Sequence, residues 1–173
     1  MKTIKYFIPA LVASLLALPA HAQEKPNDAQ IAAIVVVANQ ADVDAGDYAA
    51  AQTADPEVKA FAERMVVDHS AVNKSAVALV TKLNVTPETN ATSTALKEEG
   101  EKNLSALRAL KGAALDKAYI DHEVTYHEQV IQALDTVLIP NAQNGELKAL
   151  LVKVRPVFLQ HLEHARHLQA AHP

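Results

Sequence analysis

The chain has 173 residues, of which half are hydrophobic, and its 16 basic and 20 acidic side chains give a formal net charge of −4. It has no cysteine, which excludes disulfides and thiolate metal sites, and no basic cluster, so nucleic acid is not a predicted partner. An alanine-rich sequence with four glycines and 4% aromatic residues is typical of an all-α protein.

The N-terminus has the pattern of a secretory signal peptide. Lys2 and Lys5 precede an apolar run, which is followed by the small-residue motif AHA at positions 20–22. The apolar run is too short for a comfortable transmembrane span. We therefore predict that residues 1–22 are removed and that residues 23–173 form a single exported domain, periplasmic in a bacterium. No later segment is apolar for long enough to cross a membrane.

Apolar periodicity and capping residues predict five helices. Asp55 and Pro56 have the pattern of an N-cap and a first-turn proline, Gly112 ends the third helix, and Pro140 ends the fourth. The predicted helices cover, in chain order, about residues 27–52, 55–83, 93–110, 114–138 and 145–170. Four of them are about 25 residues long, so we predict an antiparallel four-helix bundle with one additional short helix.

Each long helix has an apolar stripe that is interrupted by one ionisable residue. The interrupting residues, one per helix, are Asp42, His69, His127 and His161. Three imidazoles and a carboxylate suit Zn²⁺, Cu²⁺, Ni²⁺ or Fe²⁺, and bundle cores often build metal sites in this way. The same residues can instead form a hydrogen-bonded network of neutral histidines around a buried aspartate, which fixes the helix register.

The other ionisable residues near these stripes are not expected in the interior set. His122 is predicted at the edge of the core, and His164 on the flank of the last helix. Four others are predicted to face solvent: Asp68, Glu123, His167 and His172. There is no Glu-x-x-His motif of the kind that a di-iron carboxylate site requires, so no ferroxidase chemistry and no catalytic residue is predicted.

The segments around the three interior histidines resemble one protein family. VKAFAERMVVDHSAVN, AYIDHEVTYHEQVI and RPVFLQHLEHARHL are similar to the domain of unknown function 4142 family, which comprises exported bacterial proteins. The resemblance covers about residues 27–168 and implies a ferritin-like helical bundle. The family histidines fall on these same three positions, and its first-helix Asn and Glu fall on Asn39 and Asp42. The aspartate is a departure, because a shorter carboxylate reaches less far.

Three functions are compatible with these patterns, of which the third, a metal-dependent enzyme, is the least favoured. The first is a non-catalytic structural or interaction module, linked to envelope stress, whose histidines maintain the core. The second is a transition-metal-binding protein for sequestration or sensing. The sequence favours the first, because a histidine in a bundle core is more often hydrogen-bonded than metal-bound. It identifies no protein partner.

Overall fold

A computed structural model of the protein describes residues 25–172, so the predicted signal peptide lies outside the described residues. The five main helices are α1 (Asp28–Gln52), α2 (Pro56–Lys82), α3 (Ala91–Arg108), α4 (Ala113–Ala133) and α5 (Gly145–Ala171). No strand occurs between residues 25 and 172, and the prediction of an all-α protein is confirmed. In the same range, no helix has an apolar stretch that is long enough to span a membrane.

Side-chain caps begin four of the five helices. In each case an amide or carboxylate oxygen accepts hydrogen bonds from backbone N–H groups of the first turn, and such a cap contributes about 1 kcal/mol. The capping residues are Asn27, Asp55, Asn90 and Asn144. Helix α3 begins two residues earlier than predicted, because Asn90 caps it and Ser93 bonds back to the Asn90 backbone.

The fourth predicted helix continues through the proline that was expected to end it. Helix α4 passes into a π-helical segment, Leu134–Leu138, and then into a last α-helical turn, Ile139–Asn141. The Ile139 N–H donates to the Leu134 carbonyl, five residues back. Pro140 has no N–H to donate, but it lies in the first turn of the new segment, where no donor is needed. The prediction that Pro140 ends the helix is therefore wrong, and the helical structure extends three residues beyond the predicted end at residue 138, to Asn141.

The four long helices form two antiparallel pairs. At one end of the α1–α2 pair Ile31 packs in the same cluster as Ala76, and at the other end Ala49 packs with Val58. In the α4–α5 pair, the start of α4 lies with the end of α5 in one cluster, and the start of α5 lies with the residues that follow α4 in the other. Helix α1 also contacts α3 and α4, and α2 contacts α5, which joins the two pairs.

A polar layer divides the apolar core into two clusters. On α1, the buried Asn39 and Asp42 lie between Val35, which belongs to one cluster, and Ala45, which belongs to the other. The interior histidines of α2, α4 and α5 occupy corresponding positions along their helices. Polar residues at this level are thus enclosed by apolar residues on both sides along the bundle.

Two glycines let α1 approach its neighbours closely. A Cβ atom at Gly46 of α1 would lie 3.1 Å from the Ala62 carbonyl oxygen of α2. A Cβ atom at Gly100 of α3 would lie 2.8 Å from the Cβ of Ala41 on α1. Since Ala41 is next to Asp42, the close approach of α3 to α1 occurs at the level of the polar layer.

We expect Gly100→Ala to destabilise the protein although alanine is the better helix former. The gain in helix propensity is about 1 kcal/mol, whereas overpacking costs about 1–3 kcal/mol. Urea unfolding should therefore show a lower midpoint. Gly145→Ala is the control, because nothing lies within 4 Å of its added Cβ, and its midpoint should stay the same or rise. Equal midpoints for the two variants would contradict the close α1–α3 contact.

Candidate metal centre

Three of the four predicted site residues converge as a triangle of imidazoles. The ring centroids of His69, His127 and His161 lie 5.3–5.5 Å apart. One ring nitrogen of each residue lies within 4.8 Å of one from each of the other two. All three side chains are buried, with at most 2% of their surface exposed. This spacing meets the requirement that histidine nitrogens be within about 5 Å of each other to share one ion.

The orientation of His69 is fixed by an asparagine of the neighbouring helix. The Asn39 side-chain N–H donates to the Val35 carbonyl at 2.7 Å, so the Asn39 amide oxygen is the atom that faces His69. An amide oxygen can only accept, and the His69 Nδ1–H therefore donates to it at 2.8 Å. In the neutral ring this leaves Nε2 of His69 without a proton, and it makes no hydrogen bond within residues 25–172.

The other two histidines are held in the same manner by different acceptors. The His127 Nδ1–H donates to the Glu123 backbone carbonyl at 3.0 Å, one turn earlier on α4. The His161 Nε2–H donates to the Asp68 carboxylate of α2 at 2.9 Å. The remaining nitrogens, Nε2 of His127 and Nδ1 of His161, are buried and have no hydrogen-bond partner among the described residues.

This pattern is the one that metal-binding histidines have. A ligating histidine uses one nitrogen for the metal and donates the N–H of the other to a carbonyl or carboxylate, which fixes its tautomer and orientation. Here an amide, a backbone carbonyl and a carboxylate each accept from one ring. Each ring therefore keeps one nitrogen with a free lone pair in the interior of the bundle.

The fourth predicted residue, Asp42, lies against two of the three rings. Its Oδ2 atom is 3.3 Å from Nε2 of His69 and 3.8 Å from Nε2 of His127. Ligand atoms around one tetrahedral ion with bonds of about 2 Å lie roughly 3.3 Å apart. Asp42 is 1% exposed, and neither of its oxygens has a hydrogen-bond partner in the described part of the chain.

Glu123 corrects the sequence-based prediction that it faces solvent. Its side chain is fully buried, and its Oε2 atom lies 3.4 Å from Nδ1 of His127. Helix α4 contacts α1, α3 and α5, so more than one of its faces is covered. With Asp42 and His127, Glu123 forms a second group of possible ligands whose atoms lie within 4.8 Å of one another. Its position one turn before His127 was the available sequence signal.

Burial shifts the pKa values of the central groups toward their neutral forms. It lowers the pKa of His127 to about 3, and burial together with the neighbouring imidazoles places the pKa of His69 well below its usual value. Burial also lowers the pKa of His161, although Asp68 opposes this. It raises the pKa of Glu123 to about 8 and, with Glu123 adding to the effect, holds the pKa of Asp42 well above its usual range.

Aromatic rings pack around the polar layer. The Phe158 ring stacks on His69 with centroids 4.9 Å apart and an angle of 8° between the planes. The Tyr126 hydroxyl donates to the Ala38 carbonyl of α1 at 2.7 Å. The stacking on Phe158 restricts the His69 ring, which carries one of the unpartnered nitrogens. The hydrogen bond of Tyr126 connects α4 to α1 at the level of the site.

The remaining histidines lie outside the centre. The prediction for His167 is confirmed, since it is exposed, and His122 and His164 are half-buried at the edge of the core. His172 was predicted to be solvated at a frayed end, and that prediction is wrong. Its ring nitrogens contact the Leu168 carbonyl at 2.8 Å and the Asp55 carboxylate at 3.2 Å, so it ties the end of α5 to the start of α2.

Asp68 has a contact that the sequence did not predict. It is partly exposed, as an outward-facing residue should be, and Arg64 contacts it at 3.3 Å. Its hydrogen bond to His161 nevertheless connects it to the buried triangle. The two residues are 93 positions apart, and no local pattern indicates such a contact.

The fold and the centre together define an all-helical protein with a buried group of histidines and carboxylates that can hold a metal ion. The family model described as a domain of unknown function (DUF4142) matches residues 13–168. The chain therefore belongs to this family, and the resemblance seen in the sequence is confirmed. Comparison with curated proteins and with solved structures gives no match.

The metal-free protein should be most stable near pH 6. Below about pH 6.5 the unfolded chain takes up protons that the buried histidines refuse, so the free energy of unfolding falls as the pH falls. Above about pH 4.5 the folded chain retains protons on Asp42 and Glu123 that the unfolded chain has released, so stability also falls as the pH rises toward 8.

Urea unfolding in EDTA between pH 4 and 8.5 measures this profile. Each proton difference changes the free energy of unfolding by about 1.4 kcal/mol per pH unit. Below about pH 4.5 the three histidines should dominate the pH dependence of the free energy of unfolding, and above about pH 6.5 the two carboxylates should dominate it. Between these values the two contributions have opposite signs and partly cancel. A profile that is flat from pH 4 to 8 would contradict the burial of these groups as neutral species.

Proposed function

We propose that the protein binds one divalent transition-metal ion through His69, His127, His161 and Asp42. The proposed context is an exported, periplasmic protein with a ferritin-like antiparallel four-helix bundle, which sequesters or senses the metal. Export is supported by the N-terminal sequence pattern, and the bundle by the two antiparallel helix pairs and by membership of the family.

The observation that carries this proposal is a mismatch between two numbers. More imidazole nitrogens lack a hydrogen-bond partner among the described residues than there are side-chain protons that can reach them. Three imidazole nitrogens need a donor or a cation. A protonated Asp42 can supply one hydrogen bond, toward His69, whose Nε2 is 3.3 Å away. The Glu123 carboxyl lies beside Nδ1 of His127, the nitrogen that already donates to the backbone.

Among the described side chains, a hydrogen-bonded network of neutral groups therefore supplies a donor to one of the three nitrogens, whereas the histidine triangle is spaced to share a single cation, with Oδ2 of Asp42 3.3 Å from Nε2 of His69. Unsatisfied buried polar groups cost about 1–3 kcal/mol each. The geometry thus favours the metal-binding hypothesis over the structural network that the sequence favours. A set of three nitrogens and one carboxylate oxygen suits the borderline ions Zn²⁺, Cu²⁺, Ni²⁺ and Fe²⁺.

Burial of the ligands also indicates which functions a bound ion can serve. The four ligand side chains are at most 2% exposed, and apolar clusters lie on both sides of them. An ion held there exchanges slowly with solvent and is out of reach of a large substrate. Sequestration or sensing needs retention of the ion and no substrate access, which fits this environment.

We expect untagged protein that is incubated separately with Zn²⁺, Cu²⁺, Ni²⁺ or anaerobic Fe²⁺ and then desalted to retain metal with at least one of these ions. Elemental analysis should give no less than one ion per chain, and the double variant His69→Ala, His127→Ala should retain none. Binding should also raise stability by about 2.7 kcal/mol when the free ion is at a hundred times its Kd.

The exposed His167 provides the matched control, since His167→Ala removes an imidazole from the same protein without touching the centre. It should retain the same amount of metal as the unchanged protein. If no ion is retained by the unchanged protein, the metal-binding hypothesis is wrong and the hydrogen-bonded structural module is the remaining function. Equal loss in His167→Ala and in the double variant would mean that metal binds at the surface.

Asn39→Ala tests whether the partner of His69 prepares the site. The variant removes the acceptor of the Nδ1–H, so the ring loses its fixed tautomer, and metal affinity should fall by about 10–100-fold. Competition with a chelator of known affinity measures the change. Gln40→Ala alters the exposed neighbouring residue and should leave affinity unchanged. An Asn39→Ala protein that is less stable but binds metal equally well would limit Asn39 to a structural contact.

A further inference from the structure

We propose that Asp42 and Glu123 hold a second divalent cation beside the histidine-bound ion, with the Asp42 carboxylate bridging the two. This inference rests on the proposed function and extends the centre from one ion to two. It starts from the positions of three neighbouring side chains. Asp42, Glu123 and His127 each have one possible ligand atom, and these three atoms lie within 4.8 Å of one another. His127 also belongs to the histidine triangle.

The first ion leaves several buried oxygens without a partner. That ion uses Oδ2 of Asp42, the oxygen that lies 3.3 Å from His69 and 3.8 Å from His127. Oδ1 of Asp42 and both carboxylate oxygens of Glu123 remain, and none of them has a hydrogen-bond partner within residues 25–172. Both side chains are essentially inaccessible, at 1% and 0% exposure. A cation between them would satisfy all three oxygens.

His127 cannot be a nitrogen ligand of this second ion. Its Nδ1 hydrogen is donated to the Glu123 carbonyl, and its Nε2 atom is needed by the first ion. The second position is therefore made of oxygens only. The Tyr119 hydroxyl, one turn before Glu123, is also buried and has no hydrogen-bond partner in the part of the chain that the structure describes. Burial and then the charge of Glu123 raise the pKa of Tyr119.

The two positions differ in the ions they prefer. Nitrogen-rich sites favour Cu²⁺, Ni²⁺ and Zn²⁺, whereas carboxylate and hydroxyl oxygens suit Mn²⁺ and Mg²⁺. A carboxylate that bridges two ions holds them about 3.5–4 Å apart. Asp42 and Glu123 supply two negative charges, and Asp68, which accepts from His161, supplies a third at the edge of the centre. Arg64 already contacts Asp68 at 3.3 Å, so Asp42 and Glu123 provide the main compensation, which is half of the charge of two dications.

Electron paramagnetic resonance tests the second site. The protein used starts at residue 23, after the predicted signal peptide. The protein is first loaded with one equivalent of Cu²⁺ and is then titrated with Mn²⁺. We expect one Mn²⁺ to bind per chain, seen as loss of the aqueous Mn²⁺ signal, and the Cu²⁺ spectrum to broaden as it binds. The broadening follows because two paramagnetic ions about 4 Å apart couple strongly.

Two variants locate the ion. Glu123→Gln keeps the size of the side chain but removes its charge, so Mn²⁺ affinity should fall by about 100-fold or more while one Cu²⁺ still binds. Glu128→Gln lies on the exposed face of the same helix, in a contact with Arg166, and should leave both ions in place. Retention of Cu²⁺ shows that the Glu123→Gln protein is folded. If that variant does not fold, the broadening in the unchanged protein still decides.

The outcomes separate this inference from the function on which it rests. One Cu²⁺ and no Mn²⁺ would leave the histidine site standing and overturn the second site. Mn²⁺ that binds without broadening the Cu²⁺ spectrum, or equally well after Glu123→Gln, lies elsewhere and also overturns it. If Cu²⁺ does not bind, protein loaded with whichever of Zn²⁺, Ni²⁺ or Fe²⁺ it retains is titrated in the same way, and the absence of Mn²⁺ binding there overturns the second site alone. Retention of none of the four ions would remove both proposals.

Discussion

The hydrogen bond from His69 to Asn39 shows the constraint on which the centre depends. A buried imidazole must place its one N–H on an acceptor, and that choice determines where its other nitrogen points. Asn39 does this for His69, the Glu123 carbonyl for His127, and Asp68 for His161. Two of the acceptors lie on a neighbouring helix and one on the histidine's own helix, so helix packing orients His69 and His161, and the local helical geometry of α4 orients His127. The buried nitrogens without partners are a consequence of that packing and of the tautomers it selects.

Such a centre is a poor way to stabilise a bundle. Replacement of buried ionic groups by apolar residues of similar volume is often neutral or stabilising, and buried groups without partners cost more still. The two apolar clusters on either side of the polar layer supply the hydrophobic burial that the fold needs. One cluster includes Phe61 and Tyr119, and the other includes Leu138 and Leu151. They carry the folding free energy, and the polar layer between them reduces it. The layer is therefore better explained by a function than by stability.

The sequence was sufficient for the number of main helices and for the buried positions of four residues, because both follow from the helical period. An apolar stripe that is interrupted once marks an inward position, and this located Asp42 and the three histidines. A single stripe cannot show that a helix is covered on more than one face, so Glu123 was placed in solvent although α4 packs against three helices. Contacts between residues distant in sequence were also missed. His161 meets Asp68 across 93 positions, and His172 meets Asp55 across 117, and neither pairing leaves a local pattern.

The short carboxylate of Asp42 shows how backbone packing and side-chain length are linked. The resemblance noted in the sequence implies a glutamate at this position, and an aspartate lacks one methylene, so the sequence predicted a shorter reach. Asp42 nevertheless approaches His69 to 3.3 Å. On the same helix, an added Cβ at Gly46 would lie 3.1 Å from the Ala62 carbonyl oxygen of α2. An added Cβ at Gly100 of α3 would lie 2.8 Å from the Cβ of Ala41. Small residues at these contacts allow α1 to pack closely against α2 and α3, and in this close packing the short side chain of Asp42 reaches His69. The reach of a ligand in a helical bundle is thus set by the residues that space the helices as much as by the ligand itself.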